Sequence, residues 1–143
     1  MTENQQADEQ FINQPTVQRI SKEALQKILS GKVMRNSTCF VKFYSNTCPM
    51  CHELRQHYVE AAYEVQGALN ETGRNDVHFF AFNMADYIEA ETIIGFEGTP
   101  TIVMIRSNSR KPKITVLPDP ESPDPKTWYH PADIKSFFNK EIK

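Results

Sequence analysis

The segment Cys39-Phe-Val-Lys-Phe-Tyr-Ser45 constrains this chain more than any other. Its aromatic and β-favouring residues are apolar toward both sides, with Lys42 its one charge, so it reads as an interior, parallel strand covered on both faces. Such a sheet needs helices above and below it, and helical periodicity follows at once. From Pro49 onward, Leu54, Tyr58, Ala61, Ala62, Val65 and Leu69 form a single stripe, which predicts a long helix ending near Asn70. At 143 residues the chain is close to the roughly 150 of one domain, and it can bury about two-thirds of its unfolded surface without disulfide staples.

The flanking segments complete an α/β pattern. Thr16–Ile20 reads as a short first strand; Ser21 suits a helix N-cap, and Ala24, Leu25, Ile28 and Leu29 recur at helical spacing until Gly31. Val77–Phe82 is a second buried strand, Ala85–Ile94 a short helix closed by Gly95, and Pro100–Ile105 and Lys113–Leu117 a hairpin joined through Ser107–Pro112. Six of the nine prolines fall between Pro112 and Pro131, which predicts an extended surface loop over Pro118–His130. Pro131 opens a last helix through Ile134, Phe137, Phe138 and Ile142. The expected order is β-α-β-α-β-α-β-β-α: one domain over residues 16–143, with a central mixed sheet flanked by helices. Residues 1–15 are Gln-, Asn- and acid-rich with only Phe11 and Ile12 as large apolar content after the initiator, and they read as a disordered polar tail.

Charge narrows the function. The formal charge is −2, and Met1–Pro15 carries −3 through Glu3, Asp8 and Glu9, leaving the body at +1. A near-neutral body argues against a large nucleic-acid-binding face. Apolar runs such as Thr101–Ile105 are far short of the roughly 20 residues that span a bilayer, and the N-terminus lacks the basic and apolar regions of a secretory signal. A cytoplasmic protein without a membrane segment is therefore expected.

Three cysteines make a poor disulfide framework, but two of them form Cys48-Pro49-Met50-Cys51 where the interior strand passes into the long helix. Cys48 as N-cap, with Pro49 as first helical residue, stands over free backbone N–H groups and the positive end of the helix dipole. A thiolate is stabilised there, and its pKa falls below the free value of about 8.5. Cys51, one turn on, points back toward Cys48 at a distance a disulfide can span. The expected roles are attack on a disulfide by Cys48 and resolution of the mixed disulfide by Cys51. The competing reading is a zinc site, which needs a second pair of ligands. The candidates are His52, facing sideways on the helix, and Cys39, roughly 25–30 Å from Cys48 along an extended strand. Cys39 reads as a buried core residue, and His57, His78 and His130 as surface or interface histidines. No metal and no cofactor are expected.

Val41-Lys-Phe-Tyr-Ser-Asn-Thr-Cys-Pro-Met-Cys51 resembles the active-site strand and helix start of thioredoxin and of protein disulfide isomerase domains. Gly95-Phe-Glu-Gly-Thr-Pro-Thr-Ile-Val-Met-Ile105 resembles the family's cis-proline segment. The resemblance extends from Thr16 to Lys143 and implies a thioredoxin fold catalysing dithiol–disulfide exchange on protein disulfides. It implies that Cys48 is the exposed nucleophile and Cys51 the buried resolving thiol. It makes Pro100 the cis-proline, with Thr99 pairing its backbone with a bound substrate strand and Pro49 and Met50 beside them. Electrons would come from a donor such as a thioredoxin reductase or the glutathione system, and the protein would be a monomer.

Four departures bear on redox poise and substrate choice. Lys42 stands where the family carries an acid that helps move a proton to or from the resolving cysteine, and is expected to modulate cysteine ionisation. Thr47 replaces the usual Trp before the first cysteine, and Trp128 lies in the proline-rich loop instead. Glu97 occupies a rim position that is often basic. The leading Pro of Pro49-Met50 resembles glutaredoxin, but the Gly-Gly-Asp segment that binds glutathione is absent. Two alternatives follow: a glutathione-linked, glutaredoxin-like activity, and a binding module on the same fold that uses the proline-rich loop, with Trp128 and Tyr129, as its contact surface.

Overall fold

The computed structural model describes residues 16–107 and 111–142. The polar tail over residues 1–15 and the tip of the hairpin connection lie outside the described residues. The elements are β1 (Val17–Arg19), α1 (Lys22–Leu29), β2 (Thr38–Tyr44), α2 (Pro49–Glu71), β3 (Val77–Asn83), α3 (Ala90–Ile94), β4 (Thr101–Arg106), β5 (Lys113–Val116) and α4 (Pro131–Ile142). The strands form one five-stranded sheet in the order β1-β3-β2-β4-β5. β1 and β2 run parallel to β3, whereas β4 is antiparallel to both β2 and β5, so the sheet is mixed.

β2 is central and buried throughout, as its composition demands. Alternation along it divides the core. Phe40 and Tyr44 join Leu54, Tyr58 and Val65 of α2 and Ile134, Phe137 and Phe138 of α4 on one face. Cys39, Val41 and Phe43 join Leu25 and Ile28 of α1 and Ala90 of α3 on the other. Phe138 anchors the first face, with ring centroids 4.6 Å from Phe40, 5.0 Å from Phe79 and 5.8 Å from Tyr58. The Tyr58 hydroxyl lies 3.2 Å from the Phe40 carbonyl and 2.8 Å from that of Phe80, which ties α2 to both central strands.

Helix ends follow the local signals. The Ser21 hydroxyl accepts from the Ala24 amide, and α1 ends through Ser30 into Gly31 at φ +73°, a conformation glycine adopts without strain. Two expectations need correction. The single helix expected over Ala85–Ile94 is a 3₁₀ turn (Met84–Asp86) followed by α3, with Tyr87 (φ −165°, ψ 83°) and a turn at Ile88 and Glu89 between them. Asn83 caps the start of the 3₁₀ turn, its side chain accepting from the Ala85 amide, and the turn ends where Tyr87 leaves the helical region. The second correction concerns the end of the proline-rich loop. Tyr129 is only 1% exposed and Thr127 is buried; Asp124 accepts from the Lys126 and Thr127 amides, and a bridge joins Asp124 to Trp128. Burying the Tyr129 ring against the α2/α4 core outweighs the surface preference of the prolines before it, so Tyr129 is no contact surface.

Candidate active site

The β2–α2 junction brings the two cysteines together. Cys48 is the N-cap of α2 with an extended backbone, Pro49 opens the helix, and the Cys48 sulfur accepts the Cys51 amide at 3.1 Å. That bond and the helix dipole both favour negative charge on Cys48 sulfur in the reduced protein. Cys48 and Cys51 are joined as a disulfide with Cα atoms 5.3 Å apart, inside the range such a bond requires. Access separates them: Cys48 is half-buried, whereas Cys51 is 2% exposed and packs in the α2/α4 core. Pro49 is exposed and Met50 half-buried at the rim.

The segment before β4 closes over the pair. The Thr99–Pro100 peptide is cis, Pro100 is buried, and the Thr99 carbonyl lies 3.6 Å from Cys48 Sγ. Two contacts that the sequence did not point to hold this segment. Glu91 of α3 accepts the Gly98 amide at 3.3 Å, and the Thr101 hydroxyl donates to the Gly98 carbonyl at 2.8 Å. The acidic residue of a short helix gives no sequence signal for a partner seven residues on. An open cleft of about 690 Å³ borders the same segment, lined by Glu91, Phe96, Glu97, Thr101, Leu117 and Asp119 among others; neither cysteine lines it.

Lys42 has no exposed surface. By strand alternation it shares the α2/α4 side with Phe40 and Tyr44, and its Nζ donates to the Cys51 carbonyl oxygen at 3.0 Å. Of the two positions open to it, reaching toward the cysteines or snorkelling out of the sheet, it takes the first. Burial, reinforced by the like charge of Arg55, lowers its pKa from 10.5 to about 7. Arg55 was not singled out in the sequence. It is half-buried one turn beyond Cys51, and its Nε is buried without a hydrogen-bond partner among the described residues. Its i+4 spacing from Cys51 was the available signal.

The remaining candidates lie apart from this pair. Cys39 is buried on the opposite face of the sheet, and burial pushes its thiol up to about 12, which makes it inert at neutral pH. His52 is bonded through Nε2 to the Asn46 carbonyl at 2.9 Å, which engages one ring nitrogen locally. No cluster of three metal-ligating side chains occurs among the described residues, and no described helix is long and apolar enough to cross a membrane.

A βαβαβαββα chain around a mixed sheet, with a CxxC disulfide at the start of its long helix and a cis-proline segment beside it, has the architecture of a dithiol–disulfide protein. The thioredoxin family model matches residues 16–120, and the chain belongs to that family. The fold resembles the J-Trx1 fragment of ERdj5 (17% identity, TM-score 0.65), covering 92% of this chain and 52% of that fragment, so the chain spans about half of its length. It is also similar to thioredoxin Mala s 13 of Malassezia sympodialis (15% identity, TM-score 0.61), over 89% of this chain and 91% of that one. Chloroplastic thioredoxin z is similar at 20% identity and a TM-score of 0.58, over 90% of this chain and 96% of that one. No curated protein sequence matches the chain.

Proposed function

We propose that the protein is a thiol–disulfide oxidoreductase acting on protein disulfides. The observation that carries this reading is the asymmetry of the pair: a half-buried Cys48 sulfur at a helix N-terminus against a buried Cys51 one turn on. Cys48, ionised in the reduced protein, attacks a substrate disulfide and forms a mixed disulfide while one substrate thiolate leaves. Cys51 then attacks Cys48 sulfur, closes the Cys48–Cys51 bond and expels the second thiolate. The enzyme dithiol loses two electrons and the substrate gains them. Thr99 offers its backbone to an extended substrate strand, while Pro100, Pro49 and Met50 form the apolar contact around the scissile bond. Regeneration would draw electrons from a thiol donor such as a thioredoxin reductase or the glutathione system. Reduced protein should accelerate reduction of insulin by dithiothreitol, and Cys48→Ser should abolish the acceleration. Equal activity of that variant would defeat the reading.

A further inference from the structure

His52 reaches both flanks of the active-site cysteine. Its backbone amide donates to the Cys48 carbonyl at 3.3 Å, in the opening turn of α2. Its ring returns to the connection that arrives from β2, where Nε2 lies 2.9 Å from the Asn46 carbonyl. A carbonyl oxygen only accepts, so Nε2 carries the proton of this bond and donates it. Asn46 is buried whereas His52 itself is exposed, so the imidazole clamps the turn from its outer side.

We propose that His52 is a positioning residue for the nucleophile: its ring N–H holds the Ser45–Thr47 connection against α2, and so keeps Cys48 at the helix N-cap with its sulfur on the Cys51 amide. This role rests on the oxidoreductase reading above and deepens it.

The geometry around Cys48 shows why such a clamp matters. The Cys48 amide donates to the Ser45 carbonyl at 3.2 Å and closes a four-residue turn. Inside that turn the Ser45 hydroxyl accepts the Thr47 amide at 3.3 Å and lies 3.1 Å from the Thr47 hydroxyl. These bonds shape the turn but do not tie it to the helix; the His52 ring does. Cys48 must keep an extended backbone, φ −99° and ψ 106°, while Pro49 after it is already helical. Rotation at that residue swings Sγ away from the Cys51 amide, 3.1 Å off, and from the Thr99 carbonyl, 3.6 Å off. One side chain that joins Asn46 to the first turn of α2 fixes the backbone before and after Cys48 together, which is how a reactive group is held in its productive geometry. His52 acts through the turn, so its effect is read on the thiolate that the turn positions.

The test is ultraviolet titration of the Cys48 thiolate in reduced protein, read against Cys48→Ser. Cys39, pushed up to about 12, stays protonated and silent. Complete loss of a hydrogen bond to a charged acceptor such as the Cys48 sulfur costs about tenfold or more. His52→Phe keeps a ring and loses the donor, and the loosened turn should cost about threefold in thiolate, moving the curve up by about half a pH unit. His52→Gln places an amide N–H about where Nε2 stands and should restore the wild-type curve. An effect of imidazole charge alone would be lost in both variants. Gln56→Ala removes the Gln56–Glu60 bond from the same helix without touching the turn, and should leave the curve in place. Reaction of Cys48 with an aromatic disulfide that releases a coloured thiolate should slow in His52→Phe and recover in His52→Gln. A His52→Phe curve that superimposes on wild type overturns the proposal, as does a His52→Gln or Gln56→Ala curve displaced as far as that of His52→Phe. A wild-type Cys48 that does not react with the disulfide at all would instead defeat the oxidoreductase reading itself.

Discussion

Replacing Lys42 by methionine should stabilise the oxidised protein most at and below neutral pH, and progressively less as pH rises. An amine of ordinary pKa 10.5 held at about 7 by the fold is one that the folded state opposes protonating. Between those two values the unfolded chain binds a proton that the native protein does not, so native stability rises with pH across that window. At about 1.4 kcal/mol per tenfold, the full fall corresponds to about 5 kcal/mol against the ionised amine. About 2 kcal/mol of it should be recovered between pH 7 and pH 9. Methionine has nearly the same length, fills the enclosed site and does not titrate. It forfeits the bond to the Cys51 carbonyl, worth about 1 kcal/mol, but that loss does not vary with pH over this range. The assay is urea unfolding of both proteins, disulfide intact, at several pH values from about 6 to about 9. Cys39, Tyr58 and Tyr129, all pushed up by burial, lower stability at the alkaline end of both proteins and cancel in the difference. The advantage of Lys42→Met over wild type should shrink by about 2 kcal/mol from pH 7 to pH 9. Parallel profiles would refute the claim that the buried amine is held near neutrality.

Three further outcomes are expected. Cys51→Ser should accumulate stable mixed disulfides with substrate through Cys48, seen on non-reducing gels, and Cys48→Ser should trap far less because Cys51 is enclosed; equal trapping would erase the division of roles. Phe138→Ala removes the ring that joins Phe40, Phe79 and Tyr58, and should lower unfolding free energy by about 3–5 kcal/mol in denaturant titrations. Glu91→Ala frees the Gly98 amide and loosens the approach to Pro100, so KM for a protein disulfide should rise while the ultraviolet titration of the Cys48 thiolate stays in place.

The parts of the fold legible in the sequence are those where one physical demand dominates. β2 is apolar toward both sides, which leaves it only an interior position, and the stripe from Leu54 to Leu69 has only one helical face to bury. The CxxC at their junction was readable because a cysteine N-cap followed by proline has a definite electrostatic meaning. Elsewhere competing demands hid the outcome. The helix expected over Ala85–Ile94 is split at Tyr87 (φ −165°, ψ 83°), where the residue type gives no signal of a break. Proline density favours a surface path, yet one aromatic ring, Tyr129, draws the end of that loop into the core. Lys42 was recognisable as a departure, but a strand buried on both faces does not reveal which way a long side chain goes. Only the packing of α2 over β2 brings Nζ to the Cys51 carbonyl and Arg55 close enough to act on it.

The most direct test of the central claim is an equilibrium titration of the Cys48–Cys51 pair against glutathione buffers, with the oxidised and reduced forms separated after thiol alkylation. A redox-active pair predicts reversible two-electron exchange confined to Cys48 and Cys51. The Arg55 guanidinium near the site, together with the Cys51 amide on Cys48 sulfur, favours the thiolate and hence the reduced form. The midpoint should accordingly lie above the roughly −270 mV of thioredoxin. Cysteines that fail to exchange reversibly, or a midpoint below that value, would contradict the account.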